Sequence, residues 1–190
     1  APVLGQIDEP CESPEECDSG WCVPGPDGTV CTKNCDSACP EGWACQTVQG
    51  SGGDPISLCI NLTAQLCHPC QQASDCNYGG GDGANRCVDW GDEGSFCGLL
   101  CGDQGYDCPE GYVCQDGSAP EGEAVPTPQC VPADDAICEC NGLAKLLGMK
   151  TACSLTNEWG ACGGLRGCSA EGLGPCDAPP ANEETCNDLD

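Results

Sequence analysis

The sequence predicts a small disulfide-rich fold, in which tandem cysteine-rich modules are made of short β-hairpins and irregular loops with one short helix. Three observations predict it. The 190 residues include 24 Cys. An eight-cysteine spacing occurs twice, and Leu, Ile, Val and Phe together number only 26. With eight aromatic residues and a formal net charge of −26, apolar burial alone does not offset roughly 1–2 kcal/mol of backbone entropy per residue. Cross-links contributing about 2–4 kcal/mol each supply the difference. That balance excludes a large single-core enzyme. Disulfides at this density persist in an oxidising space, which predicts an exported, extracellular or cell-surface protein and excludes a cytosolic one. No window approaches 18 consecutive apolar residues, so no membrane-spanning helix is expected. Ala1 reads as an end left after cleavage of a leader or as an arbitrary start point.

Cys11, Cys17, Cys22, Cys31, Cys35, Cys39, Cys45 and Cys59 match Cys70, Cys76, Cys87, Cys97, Cys101, Cys108, Cys114 and Cys130. The intervening lengths are 5, 4, 8, 3, 3, 5, 13 in the first set and 5, 10, 9, 3, 6, 5, 15 in the second. Flanking residues agree too. CPEGWAC at 39–45 answers CPEGYVC at 108–114, and Pro10 before Cys11 answers Pro69 before Cys70. One eight-cysteine module is therefore expected twice, over 1–61 and 62–132. The remaining cysteines are Cys67, Cys138, Cys140, Cys153, Cys162, Cys168, Cys176 and Cys186. They give a third module over 133–190 if Cys67 reaches forward to it. All 24 are expected in disulfides, with the pairing left open.

Asp27-Gly28, Asp82-Gly83 and Asp116-Gly117 mark hairpin turns, and the glycine-rich 79–83 run reads as an extended hairpin tip. Trp43 and Tyr112, two residues before a cysteine, are expected to lie over a disulfide as miniature cores. Acids at 134–135, late lysines and Gly148 predict a helix over roughly 135–148, against which Asn141-Gly142 counts. A shorter helical turn carrying Cys67 is expected between Leu62 and Gln72, limited by Pro69.

Five basic residues against 31 acids exclude a nucleic-acid footprint. The acids favour divalent cations, cationic partners or plain solubility, a solvated acidic face being the favoured reading. Calcium is the one cofactor considered credible, through Asp82, Asp89, Asp92 and Glu93, since a hard cation needs oxygen ligands gathered by tight turns. Cys67-His68-Pro69-Cys70 has the spacing of a thiol–disulfide exchange motif without the surrounding framework, and His68 is expected as an exposed linker residue. Cys67, Cys70, Cys138 and Cys140 have zinc-like spacing but compete with two disulfides. Asn61-Leu62-Thr63 is an N-glycosylation acceptor pattern. Leu143, Leu146, Leu147 and Met149 form the one apolar cluster, expected as core or as partner contact, with Trp21 and Trp90 as further contacts. No catalytic residue is assigned.

The blocks LCHPCQQASDC (66–76), CVDWGDEGSFCGLLC (87–101), CPEGYVC (108–114) and CSLTNEWGACGGLRGCSAEGLGPCDAPPANEETCN (153–187) resemble those of cysteine-rich secreted proteins of myxobacterial-type bacteria. The first two modules also resemble Dickkopf-type and EGF-like modules. The family's acidic CNGLDDDCDG-like metal-binding repeat is matched only by Cys186-Asn187-Asp188-Leu189-Asp190, where Asp188 replaces Gly and the acidic run is missing. Metal binding by that repeat is therefore not implied. The resemblance implies surface display without catalytic residues. The expected function is a non-enzymatic structural or binding protein whose partner is a protein, a polysaccharide or a copy of itself in a filament or coat. The alternative is an accessory subunit of an exported enzyme or electron-transfer complex, and a protease inhibitor is not supported by Asp18-Ser19-Gly20-Trp21.

Overall fold

Sulfur sets the geometry of the chain. The computed structural model describes residues 4–36, 38–49, 54–78, 85–116, 127–134 and 136–182, and among these eleven disulfides are formed. The secondary structure of the described residues is short antiparallel ribbon and 3₁₀ turn with one α-helix, so the fold is of the small disulfide-rich class.

Each eight-cysteine repeat divides into two four-cysteine units with one rule: first to third, second to fourth. The pairs are Cys11–Cys22 with Cys17–Cys31, and Cys35–Cys45 with Cys39–Cys59. In the second repeat they are Cys70–Cys87 with Cys76–Cys97, and Cys101–Cys114 with Cys108–Cys130. The third and fourth cysteines of every unit face each other across a ribbon. These ribbons are β1 (Cys22–Gly25) with β2 (Gly28–Cys31), β3 (Trp43–Gln49) with β4 (Pro55–Asn61), and β5 (Cys87–Asp89) with β6 (Ser95–Cys97). In the fourth unit β7 (Leu99–Leu100), β8 (Tyr112–Asp116) and β9 (Pro128–Pro132) form a sheet in the order β7-β9-β8. Facing side chains start only about 4.5–5.5 Å apart, so two cystines leave each ribbon side by side. Loop length between cysteines then matters little, because closure entropy grows slowly with length.

Local residues repeat the same way. Cys11 N donates to Thr29 O as Cys70 N does to Ser95 O, both at 3.0 Å, and Cys31 N donates to Glu9 O as Cys97 N does to His68 O, both at 2.8 Å. Asp8 (φ 73°) and Cys67 (φ 62°) both take the left-handed conformation and both donate their N–H to the unit's last cysteine, Cys31 O and Cys97 O. In the PEG turns Trp43 N bonds Pro40 O and Tyr112 N bonds Pro109 O, each at 3.1 Å. Gly42 (φ 79°) and Gly111 (φ 84°) hold the turn position that requires positive φ. The motif is thus a backbone requirement.

Cys67 is bonded to Cys138, 71 residues on. Cys140–Cys168 and Cys153–Cys176 close the last part of the chain, where β10 (Lys150–Asn157), β11 (Gly160–Ser169) and β12 (Gly172–Leu173) form a sheet in that order. Among the described residues Cys162 has no disulfide partner and Cys186 lies outside them, so the expectation of complete pairing is met by the 22 cysteines of the eleven bonds.

The helix is also corrected. α1 runs over Gly142–Leu147 only. Asn141, read as weakening it, is its N-cap, with Oδ1 accepting from Ala144 N at 2.8 Å, and Gly148 (φ 59°) is its left-handed C-cap. Residues 136–140 are drawn out between the bonds of Cys138 and Cys140. Gly142 allows close approach: a Cβ there would lie 2.6 Å from Asp27 Cα. The segment after Leu62 forms successive turns, Leu66 N to Thr63 O and His68 N to Gln65 O, and its regular 3₁₀ turn comes later, at Ala73–Cys76.

Val23, Val30, Val48, Leu58 and Ile60 form one aliphatic core, covered by Trp21 and Trp43. Trp43 therefore packs on aliphatic side chains. Tyr112 does lie against disulfides, beside Cys101, Cys130, Cys67 and Cys138, its Oη 3.3 Å from Cys67 Sγ. The Asp82-Gly83 turn and the glycine-rich 79–83 run lie outside the described residues, as does Gly117.

Candidate functional site

His68 is buried, 3% exposed, where an exposed linker residue was expected. It follows Cys67, whose left-handed backbone turns the chain inward, and it precedes Pro69, which bridges Phe96. Its Nε2–H donates to Asn141 Oδ1 at 3.0 Å. Asn141 in turn donates to Ala64 O at 3.1 Å and caps α1. One amide thus joins the start of the second repeat to the last part of the chain. Burial holds the His68 imidazole below its ordinary pKa, partly offset by the bond to Asn141.

A pH dependence follows. Because the folded pKa is depressed, the unfolded chain binds the proton more readily below about pH 6.5. His68 therefore contributes full stability above that pH, and the contribution declines as pH falls through 6.5 toward the folded value. The slope is at most about 1.4 kcal/mol per pH unit for one proton. Urea midpoints measured from pH 7.5 to 5 should fall with acidification, and His68→Gln should flatten the part of the curve just below pH 6.5. An unchanged curve in that variant would refute the assignment.

The exchange and zinc readings of the Cys67–Cys70 segment do not survive, since Cys67, Cys70, Cys138 and Cys140 are each bonded to a different arrangement: Cys67 to Cys138, Cys70 to Cys87, Cys140 to Cys168. Nor does the structure gather the calcium candidates. Asp89 Oδ1 accepts from Gly91 N at 2.9 Å. Asp92 accepts from Ser154 Oγ and Thr156 Oγ1, and Glu93 pairs with Arg166 Nη1. These bonds fasten β10 and β11 to the Gly91–Glu93 turn. Asp82 lies outside the described residues. Among the described residues, the groups of three metal-capable atoms within 4.8 Å are cysteine triplets only, and all of their members are in disulfides. Asn61 Oδ1 accepts from Thr63 N and Oγ1, both at 2.9 Å.

The apolar cluster is divided by the helix. Leu143 is core at 4% exposure and Met149 packs near Cys140 and Cys168, whereas Leu146 (72%) and Leu147 (63%) face solvent. Trp21 and Trp90 are half-buried against cores rather than free surface anchors. A cleft of about 530 Å³ lies between Ile137–Cys140 and β11–β12, with Lys145, Arg166, Glu139 and Glu171 on its walls. Opposite charges there leave no net preference for an ion.

A feature missed from the sequence is the outer edge of β3. Cys59 N donates away from β3, to Lys33 O. Facing residues in an antiparallel ladder share orientation and alternate along the strand, so Cys45 and Thr47 turn their backbone groups outward. Both residues are exposed. Among the described residues no group bonds them on that side. The strand WACQTVQ carries no charge and no Pro. Such protection of an edge is usual, and its absence was readable as uncharged alternation once the strand was placed. β8 occupies the equivalent edge in the second repeat, ending at Asp116.

No helix among the described residues is long and apolar enough to cross a membrane. No family model, characterised relative or solved structure matches the chain.

Proposed function

We propose that the chain is a non-enzymatic extracellular or cell-surface protein that acts by binding, its cross-linked ribbons adding strand to strand with further copies. The open, uncharged edge of β3 carries this reading. Strand addition draws affinity from main-chain hydrogen bonds, and a ribbon fixed by two cystines loses little entropy on pairing. The density of disulfides supports a site of action outside the cell. With a net charge of −26, copies repel at low ionic strength, so association should strengthen as salt screens them.

Sedimentation of the full oxidised chain at 20 and 300 mM salt tests this. Association that grows with salt and is lost in Thr47→Pro, which removes an outward N–H without a ladder bond, is the expected result. A monomer at both salt concentrations, or association unchanged in that variant, overturns it.

A further inference from the structure

We infer that the cleft between residues 136–140 and β12 takes one extended, basic segment of a partner protein, held by its main chain. The first wall is a strand without a ladder. Ile137 and Glu139 are exposed, whereas Cys138 and Cys140 are each 3% exposed, the alternation of a strand with one covered face. The Cys67–Cys138 and Cys140–Cys168 bonds pin that face to the body of the chain. Yet among the described residues no backbone N–H or C=O of residues 137–140 makes a hydrogen bond. Nearly all backbone groups of buried residues are paired in folded proteins. A run of this kind, half of it buried and none of it bonded, marks a place where a partner is due.

The opposite wall is also an edge. Gly174 N donates to Gly167 O, and Cys168 N donates to Met149 O, both at 2.8 Å. Cys168 thus turns its backbone groups toward β10, and Leu173, which faces it in the register, turns its own away from β11. Among the described residues nothing bonds them there. The Leu173 side chain packs against the two clusters that hold Cys138 and Cys140, so both walls share one apolar base. The space between them is about 530 Å³, within the ~300–1,000 Å³ of built ligand sites.

The chemistry of the walls selects the occupant. A strand edge offers donors and acceptors in equal number, and a peptide main chain supplies the matching set. Lys145 and Arg166 balance Glu139 and Glu171, so a single ion finds no preference. Arg166, however, is already held by Glu93 and Gly174 O. Glu139 and Glu171 then stand against Lys145 alone, none of the three in an ion pair among the described residues. The whole chain carries −26, and its field draws in cationic segments. This cleft is separate from the β3 edge and does not depend on it.

Amide hydrogen exchange of the full oxidised chain, with and without the end-capped peptide Lys-Val-Lys-Val-Lys, tests the inference. Saturating peptide should slow alternate amides within residues 137–140 by about tenfold or more. Two further probes carry N-methyl groups on the valines or on the lysines, and at least one should bind about tenfold more weakly, since it loses main-chain donors. Glu-Val-Glu-Val-Glu should also bind about tenfold more weakly at low salt. Glu139→Lys, at an exposed residue without a partner in the fold, should weaken binding of the basic peptide and leave the urea midpoint unchanged. No protection at residues 137–140, or equal binding of the methylated and acidic probes, overturns the inference. Protection confined to Cys45 and Thr47 overturns it too, while leaving the β3 reading in place.

Discussion

Replacing Cys67 and Cys138 together by alanine should lower the stability of the oxidised protein by about 4 kcal/mol, the chain-entropy estimate for a loop of this size. The bond closes 71 residues, and the four disulfides inside that stretch shorten the effective loop enough to bring the figure down only slightly, since the dependence is logarithmic. Both cysteines must change together, because a single survivor would be a buried thiol free to attack neighbouring cystines. Alanine suits the site: Cys67 and Cys138 are 1% and 3% exposed and pack with Phe96, Trp90 and Leu173, where a serine hydroxyl would be buried without a partner. Tyr112 Oη also loses its neighbour, Cys67 Sγ. Most of the cost nevertheless lies in the unfolded chain, which gains freedom. The folded variant keeps Thr151 Oγ1 bonded to Ser95 N and O, and keeps the Arg166–Glu93 pair. Its native fold is therefore expected to persist at low denaturant. Urea unfolding without reductant is the measurement, and a loss below about 1 kcal/mol would mean that these non-covalent contacts already determine the arrangement.

The cysteine spacings made the repeat legible, and the reason is physical: a cystine fixes its neighbours so firmly that equivalent flanks must fold alike. Pro10 and Pro69, one residue before the first cysteine of each copy, both make the bridge to the residue before the fourth, Val30 and Phe96. What spacing cannot carry is pairing. Four cysteines admit three connectivities, and the choice of first-to-third with second-to-fourth comes from which residues oppose each other in the ribbon, a tertiary fact. The equivalence of Asp8 and Cys67 was hidden for a related reason, because the two share a backbone conformation and not a side chain. Helix signals near 134–135 misled because the bonds of Cys138 and Cys140 outweigh local propensity. His68 looked like linker because a single His beside Pro69 has no second ligand or base near it in sequence; the partner it meets in the fold, Asn141, is 73 residues away. The open edge of β3 needed the register before the orientation of Cys45 and Thr47 had meaning.

Asn141→Ala should cost about 3 kcal/mol, far more than an ordinary surface substitution. Loss of the N-cap alone costs about 1 kcal/mol, and α1 has only six residues with which to absorb it. The remainder comes from groups left behind. His68 Nε2–H and Ala64 O both bond this one side chain, and a buried polar group deprived of its partner costs about 1–3 kcal/mol. A second readout separates this from a plain capping defect. The bond to Asn141 raises the His68 pKa against the larger lowering by burial, so its removal should drive the imidazole still further below its ordinary value. Asn141→Asp keeps an acceptor for Ala144 N and sets a carboxylate against the ring, which favours the imidazolium. That variant should recover the cap and move the His68 titration upward. The chain holds a single His, so one imidazole resonance followed across pH reports the site without assignment. Opposite displacements in the two variants are expected; displacement in the same direction, or none, would show that Asn141 does not touch His68 in solution.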